Sequence, residues 1–136
     1  LSMLIRDAEV GEALAARLHA RLGEARPVER FREDVEAIAR EALAGHRFSI
    51  EAFADVLNSL GMDFATLYRA YIGKNMLNRF RQRHGYREGR YRKRWDGRED
   101  NEHLVELAGT LDPAAADFPE RLYDALEARY AETAPQ

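Results

Sequence analysis

The chain has 136 residues, 46% hydrophobic and 33% charged, with a formal net charge of −3; this fits a folded, helix-rich chain and excludes a disordered one. It has no cysteine, which excludes disulfide scaffolds, cysteine zinc sites and thiol nucleophiles, and no apolar run approaches the roughly 18 residues of a membrane span. The net charge excludes a uniformly basic nucleic-acid binder, although it averages over regions of opposite sign.

In chain order, the periodicity opens with a helix from about Leu1 to Leu22. Leu1, Leu4, Ala8, Ala15, Leu18 and Leu22 recur on it at helical spacing, and Gly23 is its stop. Position 1 is not Met and no capping box precedes the apolar positions, so the chain is expected to be the C-terminal portion of a longer one. Pro27 opens a second helix with Val28, Phe31, Val35, Ile38 and Ala42 on one face and Gly45 at its end. Ser49 caps a third, with Ile50, Phe53, Val56, Leu57 and Leu60 as its apolar residues and Gly61 closing it. Asp63 caps a fourth, from Phe64 to about Arg83, stopped by His84-Gly85. Residues 86–98 read as an ordered loop or short hairpin. Another helix, carrying Leu104, Val105 and Leu107, begins around Asp100, with Asp100 or Asn101 available as its cap. Asp112-Pro113 marks a loop, and a last helix from about Pro119 to Ala131 buries Leu122, Leu126 and Tyr130. No long alternating pattern suggests strands. The expected fold is a single all-α domain over residues 1–136, a bundle or irregular array of five to six helices with an ordered basic loop.

The fourth helix carries the most information. Phe64, Leu67, Tyr68 and Tyr71 share a face that continues into Lys74, Asn75, Asn78, Arg81 and Gln82, so it turns from apolar to polar without rotating. Ile72, Met76 and Phe80 form a second apolar stripe beside it. Amides placed next to core have a reason to be there when they bond a helix, a partner or a ligand. The charge asymmetry centres on the same region: from Lys74 to Arg98, ten basic residues face only Glu88 and Asp96, a local charge of +8. In the loop, Tyr86, Tyr91 and Trp95 interleave with cations and glycines, an arrangement suited to phosphate contacts and to stacking or lid closure. Glu99-Asp100-Asn101 follows, as a helix cap, as acidic help to a metal, or as an amide reading a ligand edge.

The run Tyr71-Ile72-Gly73-Lys74-Asn75-Met76-Leu77-Asn78-Arg79-Phe80-Arg81, with Gly85-Tyr86, Gly89, Tyr91, Lys93, Trp95, Gly97 and Glu99-Asp100-Asn101, resembles the C-terminal signature of the dimeric, all-α dUTPases. These belong to the all-α nucleoside triphosphate pyrophosphohydrolases, and the dense match covers about 31 residues. The resemblance implies Mg²⁺-dependent hydrolysis of dUTP to dUMP and pyrophosphate, with dUDP also accepted. It assigns the phosphate clamp to Lys74, Asn78, Arg81, Tyr91 and Lys93, residues that the helix-face argument had partly selected. Asn75, Tyr86, Trp95, Glu99, Asp100 and Asn101 take supporting or nucleotide-proximal places. A deoxyuridine nucleotide partner, a homodimer and a cytoplasmic enzyme without membrane attachment complete the expectation.

The resemblance also implies paired carboxylate motifs on N-terminal helices, which this chain does not show. The nearest set, Glu33-Asp34-x-Glu36 with Glu41, has the wrong spacing, because Asp34 and Glu36 point about 200° apart on a helix. Their plain reading, shared by Asp7 and Glu9, is a solvated face, here paired with Arg30, Arg32 and Arg40. His19, His46, His84 and His103 are read as structural or solvent-facing. No catalytic set and no metal ligands are identified; the Mg²⁺ ligands are expected upstream, leaving this chain as the phosphate-binding half and inactive alone. Two alternatives stand beside this reading: a pyrophosphohydrolase of another nucleotide such as dCTP, and a non-enzymatic single-stranded nucleic-acid-binding module.

Overall fold

The structure, a computed structural model, describes residues 8–46 and 48–133. The expected apolar positions Leu1 and Leu4, and Asp7, lie outside the described residues. The architecture is an all-α array with one minimal hairpin: α1 (Ala8–Arg21), α2 (Phe31–Gly45), α3 (Ile50–Ser59), α4 (Phe64–Arg83), β1 (Arg94–Trp95), β2 (Arg98–Glu99), α5 (Asp100–Gly109) and α6 (Phe118–Glu132). Two compact units divide the chain, one ending at Thr66 and the other beginning at Leu67.

In the first unit, α3 packs against both α1 and α2. Ser49 caps α3 as expected, its hydroxyl accepting the Ala52 amide at 3.2 Å. The α3 core differs from the sequence reading. Ala52, Ala54, Leu57, Asn58 and Ser59 are buried, whereas Leu60 is exposed. Asn58 is buried for a capping reason: its amide donates to the Arg21 carbonyl at 2.9 Å and its oxygen accepts the Gly23 N–H at 2.9 Å. Gly23, at φ 93°, takes the left-handed conformation that lets the chain leave α1 there.

The largest departure concerns α2. Its expected core face is not buried within this unit: Val28, Phe31 and Val35 are all exposed. The one buried residue of α2 is Asp34. It is not a solvated carboxylate; Arg26, reaching across from the loop before Pro27, holds both its oxygens. That bond, aided by nearby positive charge, lowers the Asp34 pKa despite burial. Glu33 and Glu36 pair with Arg30 and Arg32, as the spacing suggested.

In the second unit, the core gathers Leu77, Phe80, Trp95, Leu104, Ala108, Phe118, Leu122, Tyr123 and Leu126. Phe80 is its centre, with ring centroids of His84, Tyr91, Trp95, Tyr123 and Tyr130 between 4.0 and 6.0 Å away. The buried line of α4 is Gly73, Leu77 and Phe80, with Ile72 and Met76 half-buried beside it. Tyr71, expected to continue an apolar face, is exposed. Beyond α4 the chain turns at Asp96 and Gly97, both at positive φ (48° and 76°). Positive φ at both central residues gives the mirror-image turn that suits the right-handed twist of a two-residue hairpin. α5 is capped by Glu99 rather than by Asp100 or Asn101: Glu99 accepts the Glu102 amide, and the Glu102 carboxylate accepts the Glu99 amide.

Candidate functional site

The polar face of α4 and the start of α5 meet in the second unit. Lys74 donates to the Asn101 side-chain oxygen at 3.1 Å. Arg81 makes a bidentate pair with Asp100, at 2.8 Å from Nε and 2.7 Å from Nη2. Lys93 stands 3.1 Å from a Glu99 carboxylate oxygen. Each of three consecutive residues, Glu99, Asp100 and Asn101, thus holds one cation of the expected clamp. This is a use for the cluster that neither capping nor metal binding had suggested.

Asp100 is the fixed point. Its side chain is fully buried and Arg81 is only 13% exposed. Tyr91 adds a third bond, its hydroxyl donating to Asp100 Oδ2 at 2.8 Å. Burial pushes the Asp100 pKa up, but the bonds from Arg81 and Tyr91 outweigh it and leave the carboxyl below its ordinary value. Burial, and then the bond to this carboxylate, push the Tyr91 phenol well above its ordinary value, so it stays a donor. Arg81 has five N–H groups and uses two on Asp100, and it also interacts with the Tyr91 hydroxyl. Tyr86 is exposed, and the Arg81 guanidinium lies 5.8 Å from its ring centroid.

Asn75 and Asn78 are exposed on α4 and make no side-chain hydrogen bond among the described residues. Trp95 is not available for stacking on a ligand. It is fully buried, and its indole donates to the Arg92 carbonyl at 2.7 Å, so its support is structural. The amides at the start of α5 are also engaged: Asp100 N–H bonds the Lys93 carbonyl at 3.0 Å, and Glu99 takes the Glu102 amide. An anion here would meet side-chain cations rather than a bare helix terminus.

Two networks behind this surface escaped the sequence reading, although His103 itself was read as structural or solvent-facing. Arg92 donates to the Tyr130 and Thr133 carbonyls at 2.8 and 2.7 Å, closing the C-terminal end of α6. His103 is buried, with Nε2 2.8 Å from the Trp95 carbonyl and Nδ1 3.1 Å from Arg129 Nη1. A carbonyl only accepts and a guanidinium only donates, so these contacts suit Nε2 as the donor and Nδ1 as the acceptor. His84 is likewise structural, stacked on Phe80 with Nδ1 2.9 Å from the Phe80 carbonyl. No local spacing announces either network, because Arg92–Tyr130 and His103–Arg129 are long-range pairs.

Among the described residues, no three His, Asp or Glu side chains converge as metal ligands. Asp34, Glu33 and Glu36 are each held by an arginine, as is Asp100. These four carboxylates, each already paired with an arginine, therefore do not fit a magnesium site. A cavity of about 760 Å³ in the first unit, between the end of α1 and the α3–α4 turn, gathers no comparable array of cations.

A family profile described as dUTPase matches residues 18–86. The chain belongs to the dUTPase family. The match takes in Lys74, Asn75, Asn78, Arg81 and Tyr86, while Tyr91, Lys93, Trp95 and Glu99-Asp100-Asn101 lie beyond it. No curated protein matches the chain. Membership in the dUTPase family carries a dUTP-hydrolysing function in general terms and a deoxyuridine nucleotide as substrate. No helix among the described residues is long and apolar enough to cross a membrane.

Proposed function

We propose that this chain carries the phosphate-binding half of a dUTP diphosphatase site, which converts dUTP to dUMP and pyrophosphate and accepts dUDP in the same cradle. The observation that carries the reading is the set of three cations, Lys74, Arg81 and Lys93, each held by one of three consecutive residues at the start of α5. Arg81, held by its buried pair with Asp100, loses little side-chain freedom on binding, which favours a phosphate ligand at that point of the clamp. Arg81 suits paired phosphate oxygens, and Lys74 and Lys93 act as point charges. Asn78, one turn from Lys74, supplies an amide donor, and Tyr86 offers an exposed ring beside Arg81.

Magnesium dependence belongs to the same reading, with its ligands supplied by carboxylates other than those described here. The homodimer also belongs to it, supported by exposed apolar Phe31 and Val35 on α2 and Val28 in the short turn just before it. The test is pyrophosphate release from dUTP with Mg²⁺, on this chain and on one extended upstream, with dCTP and dTTP as controls. The expected result is turnover of dUTP by the extended protein, reduced at least about a hundredfold by Arg81→Ala or Lys74→Ala. If neither protein cleaves a triphosphate and both bind single-stranded DNA with a steep salt dependence, the nucleic-acid reading replaces this one.

A further inference from the structure

The three anchors of the clamp cations are not equivalent. Asp100 is fully buried, bonded twice by Arg81 and once by Tyr91. Breaking that pair would leave a buried charge without a partner, which is strongly unfavourable. Glu99 and Lys93 are 38% and 56% exposed and meet through one contact of 3.1 Å. Exposed pairs of this kind contribute little and exchange readily. Glu99 would not be stranded on leaving Lys93, because it also accepts the Glu102 amide and lies 3.9 Å from Arg94 Nε. Asn101 holds Lys74 without carrying charge.

We propose that Glu99 is an internal anion occupying a phosphate position on Lys93, displaced when a di- or triphosphate binds, while Asp100 remains the positioning residue of Arg81. This rests on reading Lys74, Arg81 and Lys93 as the phosphate clamp. The consequence is selection by ligand charge. A singly charged oxyanion gains little by exchanging for the Glu99 carboxylate. A polyphosphate gains, because its remaining charge is available to a further clamp cation. The clamp is thereby screened against small anions and opens to phosphate chains.

The test is calorimetric titration of the full chain with inorganic pyrophosphate and with orthophosphate in magnesium-free buffer. Glu99→Gln keeps the helix cap, since the amide oxygen still accepts the Glu102 N–H, but it cannot hold Lys93 as a carboxylate does. The expected result is pyrophosphate binding about two- to fivefold tighter in Glu99→Gln, on the scale of one exposed ion pair. Orthophosphate is expected to gain at least as much, narrowing the preference for pyrophosphate. Asp100→Asn is expected to weaken pyrophosphate binding by releasing Arg81. If that variant fails to fold, Glu99→Gln decides alone. Lys93→Ala is expected to weaken binding and to abolish the gain from Glu99→Gln. Unchanged or weaker binding in Glu99→Gln, with Lys93→Ala still impaired, overturns the internal-anion proposal and leaves the clamp. Pyrophosphate affinity unaffected by both Lys93→Ala and Arg81→Ala, or no measurable binding to the wild-type chain, overturns the clamp reading itself.

Discussion

Asp100→Asn separates the charge of the buried carboxylate from its shape. Asparagine has nearly the same volume, so packing is retained, but its amide turns two donors toward groups that themselves donate. Removing one partner of a buried ion pair typically costs about 3–5 kcal/mol. Arg81 keeps 13% of its side chain exposed, so water offsets part of the loss and about 2–4 kcal/mol is expected. Against a net stability of about 5–15 kcal/mol for a domain, that is a large share. The assay is urea unfolding followed by tryptophan fluorescence. Trp95 is the sole tryptophan and is fully buried in the second unit, so the signal reports the unit that holds Asp100. With a urea dependence of roughly 1 kcal/mol/M for so small a unit, the midpoint should fall by about 2–4 M. The pH dependence has a defined sign. Asp100 has a lowered folded pKa, so its contribution is fully present above the unfolded carboxyl value near about 4 and is lost as pH falls through the folded one. The difference between wild type and variant should therefore hold at neutral pH and shrink below about pH 4. The double variant Arg81→Met with Asp100→Leu, which removes both charges and fills the space, should cost less than Asp100→Asn alone. A single-variant loss under about 0.5 kcal/mol, or a double variant as costly as its two parts added, would refute the reasoning.

His103→Phe keeps a ring stacked on Trp95, whose centroid is 5.2 Å away, but takes the ring nitrogens away from the Trp95 carbonyl and from Arg129, which keeps its pair with Glu106. The same fluorescence assay should show a loss of about 1–2 kcal/mol, and no loss would mean that the Trp95 carbonyl is satisfied without His103. Val35→Glu places a charge on the exposed apolar face of α2. Light scattering should show a smaller fraction of dimer than in the wild-type chain, and an unchanged mass distribution would remove that face from the dimer proposal.

Much of the helical architecture was legible because its punctuation is local. Ser49 and Asp63 cap where their side chains reach the next turn, and Gly23, Gly61 and Gly85 take positive φ where helices end. The α2 face misled because periodicity reports amphipathicity without naming what covers the apolar side. Asp34 misled for the opposite reason: its partner Arg26 stands outside the helical spacing within which ion pairs are sought. At the site, the residue types could be read from the face of α4, but the pairing of Lys74, Arg81 and Lys93 with three successive residues of α5 could not. That pairing depends on α5 packing back against α4, a tertiary fact with no fixed sequence offset. Glu99 took the cap from Asp100 because its own carboxylate reaches the third amide of the helix while Asp100 is engaged by Arg81.

Arg92 sits between Tyr91 and Lys93, and its guanidinium closes the carbonyl end of α6. The two clamp residues are therefore located from behind, by a helix that donates no side chain to the clamp. α6 works as a gauge block: a shift of its last turn, or a change in the length of the 110–117 connection, would carry Arg92 with it and move both neighbours. Tolerance of the clamp to change is thus set some forty positions away along the chain, where no reading of the nucleotide site alone would look for it.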